Sequence, residues 1–540
     1  MNGLMMQDQL TLASVLRRAE TLFSNKAIVS RLPDHSLHRT TYADMTRRAK
    51  QLALALRGLG VQPGDRVATL AWNHYRHLEA YFGIPCMGGV LHTLNLRLPA
   101  EDLVYIVNHA DDKVLLVDQV LLPLVERIHA NSNIQHIIVM SDDGTVPDGM
   151  LDYEHLLSSV DVAEYQDDAI DEQQAAAMCY TSGTTGRPKG VLYSHRALVL
   201  HSMAEAMVDA MGLSEVDVVL PVVPMFHVNA WGLPFTATMV GAKQVLPGPF
   251  LDAPSLLELF AQERVTFTAG VPTIWLGLLQ ELDRAPGSWD LSRLRALFVG
   301  GQSAPISMIR GFQERHNLRV VQAWGMTETT PLGTVSTVLD ELRDLPPDEQ
   351  YAYRATQGRP APFVEIRARG DDGIVPWDGT TLGEFEVRGP WVAASYYNNP
   401  EAASAFTEDG WFRTGDIVTI DPLGYMHIQD RTKDVVKSGG EWISSVALEN
   451  ALMGHPAVAE AATFAVPHPR WLERPMSVVV LKDGMTTTED ELRAYLAEQF
   501  PRWWLPDRIT CIDAIPKTGT GKFQKSALRD TYRDALLDAE

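Results

Sequence analysis

The sequence predicts an α/β protein: a large N-terminal domain of layered α/β subdomains closed by a β-rich unit, then a small C-terminal α+β domain. Three observations predict it. Short apolar runs alternate with helix-periodic segments as far as Gly383. Beyond Gly383, brief strand-like runs are separated by glycines. From Asp430 a charged stretch ends in Gly439 and Gly440 and opens a last segment in which helix and strand patterns mix. The 540 residues leave room for roughly three or four units of about 150 residues each.

The elements follow in order. Leu12, Val15, Leu16, Ala19 and Phe23 recur at helical spacing, so residues 12–23 read as a helix. Residues 42–59 read as a second. Thr41 is its N-cap, because a hydroxyl can accept an orphan amide of the first turn, and Gly60 is its stop. Runs 66–71, 113–117, 137–140, 216–223, 295–299 and 319–321 are apolar, often β-branched and bounded by Gly, Pro or Asp. They read as strands, and their alternation with helices argues for largely parallel sheets. The order of the strands is not readable this way. Residues 384–389, 410–420 and 424–429 read as the β-rich unit. Residues 445–453 and 488–500 then read as helices and 476–481 as a strand. The domains are expected to divide as 1–429 and 430–540. No internal repeat, heptad array or low-complexity tract interrupts the pattern.

Composition narrows the function. Lys and Arg number 46 and Asp and Glu 68, a net charge of −22, which repels phosphate backbones and anionic lipid. Nucleic acid is therefore not the expected partner, although a local basic pocket for a small phosphate ligand is compatible with that charge. Cys86, Cys179 and Cys511 lie far apart, so neither a disulfide framework nor a zinc ribbon is expected. No apolar run is long enough to span a bilayer, and residues 1–18 lack the basic start and apolar stretch of a secretory signal. The expectation is a soluble, cytoplasmic protein with at most peripheral membrane contact.

The segment richest in chemistry is Tyr180-Thr181-Ser182-Gly183-Thr184-Thr185-Gly186-Arg187-Pro188-Lys189-Gly190. Its glycines let backbone amides turn toward one anion, its hydroxyls add donors, and Lys189 adds a positive charge. These are the parts of a phosphate-holding loop. The standard nucleotide P-loop is different, because there the lysine leads directly into a helix. Read alone, such a Ser/Thr/Gly run would be a solvated hairpin turn.

The string resembles the phosphate loop of the adenylate-forming superfamily, which includes acyl-CoA synthetases, luciferases and nonribosomal adenylation domains. Further strings follow in that family's order. Gln322-Ala323-Trp324-Gly325-Met326-Thr327-Glu328 is similar to its nucleotide motif, and Trp411-Phe412-Arg413-Thr414-Gly415-Asp416 to its ribose motif. Asp430-Arg431-Thr432-Lys433-Asp434 is similar to its hinge, and Pro516-Lys517-Thr518-Gly519-Thr520-Gly521-Lys522 to its C-terminal catalytic loop. Pro224-Met225-Phe226-His227-Val228-Asn229-Ala230-Trp231 and Lys437-Ser438-Gly439-Gly440-Glu441-Trp442-Ile443-Ser444 resemble medium- and long-chain fatty acyl-CoA ligases in particular.

The resemblance implies an ATP-dependent fatty acyl-CoA synthetase. A carboxylate attacks ATP to give acyl-adenylate and pyrophosphate, and the thiol of CoA then displaces AMP. It implies that Thr181, Ser182, Gly183, Thr184, Thr185, Gly186 and Lys189 hold the phosphates, with Thr181 and Glu328 on Mg²⁺. Gly301, Gln322, Ala323, Trp324 and Thr327 would line the nucleotide slot. Many members carry Tyr where Trp324 stands; stacking survives that change, but a hydroxyl contact does not. Asp416 would take the ribose hydroxyls, because one carboxylate can accept two hydrogen bonds. Arg431, Lys433, Lys437 and Trp442 would lie near the nucleotide. Lys522 would stabilise the charge developing on the α-phosphate. Asp430 would be a hinge that swings the small domain between the two steps. Gly439, Gly440 and Glu441 would form the CoA passage. His227, Val228 and Trp231 would lie at the acyl pocket, with His227 orienting the carboxylate, packing against it, or simply filling core. The N-terminal helix would serve a homodimer or cover the core.

Other readings compete. Within the fold, the acid could be short, aromatic or sulfur-containing. A serine hydrolase is disfavoured, because Gly301-Gln302-Ser303-Ala304-Pro305 lacks the final glycine of the nucleophile elbow. A passive nucleotide-binding module would leave Glu328 and Lys522 without a task.

Overall fold

The computed structural model describes every residue except 2, 182–186, 371, 439–440, 518–522 and 538–540, and of Glu441 and Trp442 only the backbone. Two twisted sheets organise the larger body. One has seven strands in the order Leu151–Asp152, His136–Met140, Asp112–Asp118, Arg66–Leu70, Val90–Thr93, Ala175–Tyr180 and Gly190–Ser194. All are parallel except the last, which folds back antiparallel on Ala175–Tyr180. That reversal sets Thr181 opposite Lys189, whose carbonyl accepts the Thr181 amide at 2.9 Å.

The other sheet has nine strands. Val320–Gly325, Ala296–Val299, Phe267–Gly270, Val218–Pro221, Lys243–Leu246 and Ala27–Arg31 lie side by side and parallel. Antiparallel strands finish both edges: Leu37–Thr41 at one, Leu332–Val335 and Arg359–Pro360 at the other. Parallel strands buried on both faces suit continuous apolar runs, which is why these segments carry Leu, Val and Phe without alternation.

The helices form where the periodicity places them. The first is Leu12–Leu22, capped by the Thr11 side chain, with Leu12, Val15, Leu16 and Ala19 buried. The Leu12 amide donates to the ring of His195, at the start of helix His195–Ala206, at 3.2 Å. This helix therefore covers the core of its own chain. The second is Tyr42–Gly58, capped by Thr41 as expected, and Gly60 beyond it has φ +91°.

The β-rich unit is an antiparallel sheet of Gly373–Ile374, Glu365–Gly370, Gly383–Arg388, Phe412–Ile420 and Met426–Arg431. It starts at Glu365, earlier than the sequence reading placed it. The sequence Glu-Ile-Arg-Ala-Arg-Gly hides a strand because its outward side chains are charged: Arg367 and Arg369 both reach the buried Glu386 on the neighbouring strand. In the C-terminal segment, Leu472–Leu481 pairs with Val458–His468 over their whole length and with Arg508–Cys511 at its other edge. Helices Ser445–Gly454 and Glu489–Ala497 pack on one face of that sheet and Lys525–Thr531 on the other. Asp430 remains paired with Ile417 in the five-stranded sheet, while its carboxylate accepts the amide of Ser445, the first residue of the next helix. No helix among the described residues is long and apolar enough to cross a membrane.

Candidate active site

A cavity of about 640 Å³ opens beyond the carboxyl ends of the parallel strands, where open α/β sheets place their ligands. Thr181 follows strand Ala175–Tyr180, Val271 follows Phe267–Gly270, Gly300 and Gly301 follow Ala296–Val299, and Met326 follows Val320–Gly325. A second cavity of about 220 Å³ shares Gly301, Ala323, Trp324, Gly325, Arg431 and Lys433 with the first, and helix Ser445–Gly454 closes its far side.

The larger cavity has two ends. Thr181, Arg187, Lys189, Glu328, Arg431 and Lys433 make one polar; Met211, Val228, Trp231, Val271 and Leu332 make the other apolar. At the polar end the Thr181 hydroxyl accepts the Lys189 amide at 3.1 Å, which ties these two residues together at the cavity wall. Glu328 is 5% exposed and accepts a hydrogen bond from Tyr396 at 2.5 Å. The neighbouring Thr327 lines the same wall, and its carbonyl accepts the Tyr193 hydroxyl at 2.8 Å. Burial pulls Lys433 below the ordinary lysine value, although Asp434 opposes this.

Trp324 and Asp416 are joined. The indole Nε1 donates to Asp416 Oδ2 at 2.9 Å, and Arg431 Nε lies 2.8 Å from Oδ1. Asp416 is 1% exposed and lines the second cavity. Its charge holds Arg431 above the ordinary arginine value. The Trp324 ring meets Phe385 edge-on at 4.8 Å, and Gly333 backs it so closely that a Cβ there would lie 2.3 Å from the ring. The tryptophan is therefore more than a flat face for stacking: it also orients the carboxylate that the sequence assigned to ribose. A tyrosine could not make this N–H bond. Gln322 is buried, its Oε1 accepts the Ala304 amide at 3.0 Å, and it borders the second cavity only.

The apolar end rests on a rare backbone. Val228, Asn229, Ala230 and Trp231 have φ of 40°, 55°, 50° and 57°, with Gly232 at 79°. This is one turn of left-handed helix, which L-residues resist by about 1–2 kcal/mol each. The segment that leads into it is held from outside. Asn73 donates to the carbonyls of Pro221 and Val223 at 3.0 Å and accepts the Met225 amide at 2.7 Å, and Thr93 donates to the Phe226 carbonyl at 3.4 Å. His227 and Trp231 line the cavity at either end of the turn, and the Trp231 ring abuts Gly300.

At the expected hinge, Asp430 is 1% exposed, and burial raises its carboxyl above the usual range against the pull of Lys525. Lys525 reaches Glu449 at 2.7 Å and Ser445 at 2.6 Å, while Arg529 reaches Asp434 at 2.7 Å. Burial pushes Glu449 up to about 7. The structure brings Thr181, Lys189, Gly301, Ala323, Trp324, Thr327, Glu328, Arg431, Lys433, His227, Val228 and Trp231 to the larger cavity and Gln322, Asp416 and Asp430 to the smaller one. Lys437 lies on strand Val436–Ser438, away from both, with its amide on Glu473. Ser182, Gly183, Thr184, Thr185, Gly186, Gly439, Gly440 and Lys522 lie outside the described residues, as do the side chains of Glu441 and Trp442. Sequence reasoning missed Tyr396, Met211 and Gly333. Tyr396 had a signal available, a Tyr-Tyr-Asn-Asn-Pro run between two matched motifs.

Fold and cavity together define a two-part α/β enzyme in which a phosphate-type cation cluster faces an apolar pocket. The chain belongs to the AMP-binding enzyme family, of the adenylate-forming superfamily: the family profile matches residues 16–397, and that of the AMP-binding enzyme C-terminal domain matches 447–522. A long-chain-fatty-acid–CoA ligase of Thermus thermophilus is 53% identical, over 98% of this chain and 97% of its own. A 3-methylmercaptopropionyl-CoA ligase of Ruegeria lacuscaerulensis is 45% identical, over 99% and 100%. The crystal structure of an anthranilate CoA ligase in complex with anthranoyl-AMP superposes with a TM-score of 0.86 at 26% identity, covering 97% of this chain and 98% of that one.

Proposed function

We propose that the protein is an ATP-dependent acid–thiol ligase that converts a medium- to long-chain fatty acid to its CoA thioester through an acyl-adenylate. One observation carries this reading: a single cavity, with Trp324 in its wall, joins a cationic, hydroxyl-bearing end to an apolar end. A triphosphate at the polar end and an acyl chain at the apolar end would bring a carboxylate to the α-phosphorus between them. The carboxylate is ionised at neutral pH, so the first step needs charge neutralisation and alignment rather than a strong base. Lys189, Arg431 and Lys433 supply the cations at the cavity wall. Lys522 would add the last from the C-terminal loop.

The residues present fit Mg²⁺. It is a hard ion that keeps several waters and is usually held by one or two protein oxygens together with substrate phosphates. Glu328 and Thr181 offer two such oxygens in the same cavity, and among the described residues no group of three or more His, Cys, Asp or Glu side chains forms a closed metal site. When bound, the ion would neutralise phosphate charge.

Residues 430–540 would turn about Asp430 after adenylation and present Gly439, Gly440 and Glu441 to the pantetheine arm. The site of action would be the cytoplasm. A second reading, a short sulfur-containing acid, is favoured by the Ruegeria relative. A panel of acids from two carbons to long chain, assayed for AMP release with CoA present and for ATP–pyrophosphate exchange without it, tests both. Fastest turnover with medium or long chains supports the first; fastest turnover with a methylthio acid supports the second. No carboxylate-dependent exchange with any acid would refute the ligase.

A further inference from the structure

Lys189 and Glu328 face the same cavity with opposite charges, and two such groups would ordinarily pair. Among the described residues no ion pair joins them. The ring of Tyr396 stands where they would meet. Its hydroxyl donates to Glu328 Oε1 at 2.5 Å, and Lys189 Nζ sits 4.9 Å from the ring centroid. The ring is braced by Phe406, with centroids 5.6 Å apart, and Phe406 in turn by Phe412 at 5.3 Å.

The backbone that carries Tyr396 is fastened at both ends. Thr330 donates to the Trp391 carbonyl at 2.5 Å and the Ala393 amide donates to the Glu328 carbonyl at 2.8 Å. The Tyr397 amide donates to the Gly190 carbonyl at 2.9 Å. Gly190 opens a strand of the seven-stranded sheet, whereas Glu328 follows a strand of the nine-stranded one. Residues 391–397 therefore strap the two sheets together across the polar end of the cavity.

We propose that Tyr396 is a positioning residue that keeps Lys189 and Glu328 apart. Its hydroxyl commits one oxygen of Glu328 and leaves the other for the metal, and its ring face holds the ammonium for phosphate. The two functions reside in different parts of one side chain, so they can be separated. The inference rests on the nucleotide reading above.

The test is calorimetric binding of a non-hydrolysable ATP analogue to the full chain, with and without MgCl₂, for the wild type, Tyr396→Phe and Tyr396→Leu. Thermal melts of the free proteins check folding. Tyr396→Phe keeps the ring, so metal-free affinity should stay within about threefold, while the Mg²⁺ concentration giving half-maximal enhancement rises about tenfold, as for a lost charge-assisted hydrogen bond. Tyr396→Leu should raise the Mg²⁺ requirement as much and also weaken metal-free binding by about three- to fivefold, as for a lost cation–π contact. Wild-type Mg²⁺ dependence in Tyr396→Phe would overturn the proposal, as would equal metal-free losses in both variants. A wild-type chain that binds no nucleotide would instead overturn the nucleotide reading.

Discussion

Replacing Gly333 with alanine tests the Trp324–Asp416 pair without touching either residue. The new Cβ would stand 2.3 Å from the indole, closer than any real carbon contact, so the ring must move by about 1 Å or more. That movement breaks the 2.9 Å bond to Asp416. Overpacking a filled core costs about 1–3 kcal/mol, and a buried bond to a charged group is worth about 1.5–3 kcal/mol. The sum is about 2.5–6 kcal/mol. Trp324→Phe removes the same bond and leaves a smaller ring, costing about 2–3 kcal/mol. In that background the alanine meets less obstruction and has no bond left to break, so its added cost falls below about 1 kcal/mol. The cycle should thus show a coupling of about 1.5 kcal/mol or more. Urea unfolding gives the stability arm and nucleotide titration the functional one, where each single variant should weaken ATP about ten- to a hundredfold. Additive costs, or unaltered ATP affinity in both singles, would refute the idea that Trp324 orients the carboxylate.

Three further predictions test the proposed reaction and the stability of the fold. Lys522→Ala should abolish adenylate formation and largely spare thioester formation from preformed acyl-adenylate; equal loss of the two half-reactions, measured separately, would remove that lysine from its role. Asp430→Pro should slow the thioester step more than the adenylation step, since a fixed φ opposes a swivel; stopped-flow comparison of the two steps decides it. Acid should unfold the protein partly through His201, whose Nε2 accepts the Leu332 amide at 3.1 Å and which burial pulls down to about 3. Between that value and the ordinary 6.5 the unfolded chain binds the extra proton, so the contribution is complete above pH 6.5 and is lost as pH falls toward 3. Burial raises the carboxyl of Glu205, beside it, above the usual range. Urea unfolding at pH 7 and pH 4.5 should show His201→Gln losing about 2 kcal/mol less than the wild type; identical losses would contradict the burial argument.

Much of this was legible in the chain, for physical reasons. Thr41 and Gly60 mark the ends of helix Tyr42–Gly58 because caps act locally. Thr181, the nucleotide string and Asp416 reach adjoining cavities because Thr181 and Met326 follow the ends of parallel strands, while the ribose string opens strand Phe412–Ile420. What escaped was set by distant partners. Strand Val458–His468 reads as weak, since Ala, Glu and Pro make poor strand formers, yet pairing along its whole length with Leu472–Leu481 holds it. The hydrogen bond from Trp324 to Asp416 spans 92 positions, and neither residue type announces the other. Gly333 carries no chemistry of its own, so only the ring lying against it reveals its purpose.

The wrong-handed turn at Val228–Trp231 has a last consequence. A peptide of that sequence in isolation would relax to the ordinary hand, and in the folded chain Asn73 and Thr93 hold the segment 221–226 that leads into it. Both belong to the phosphate-side sheet or the loop after one of its strands. Under the proposed function, substitutions at Asn73 or Thr93 would reshape the apolar end of the cavity without lining it, by loosening the strand-to-turn segment from which that end is built.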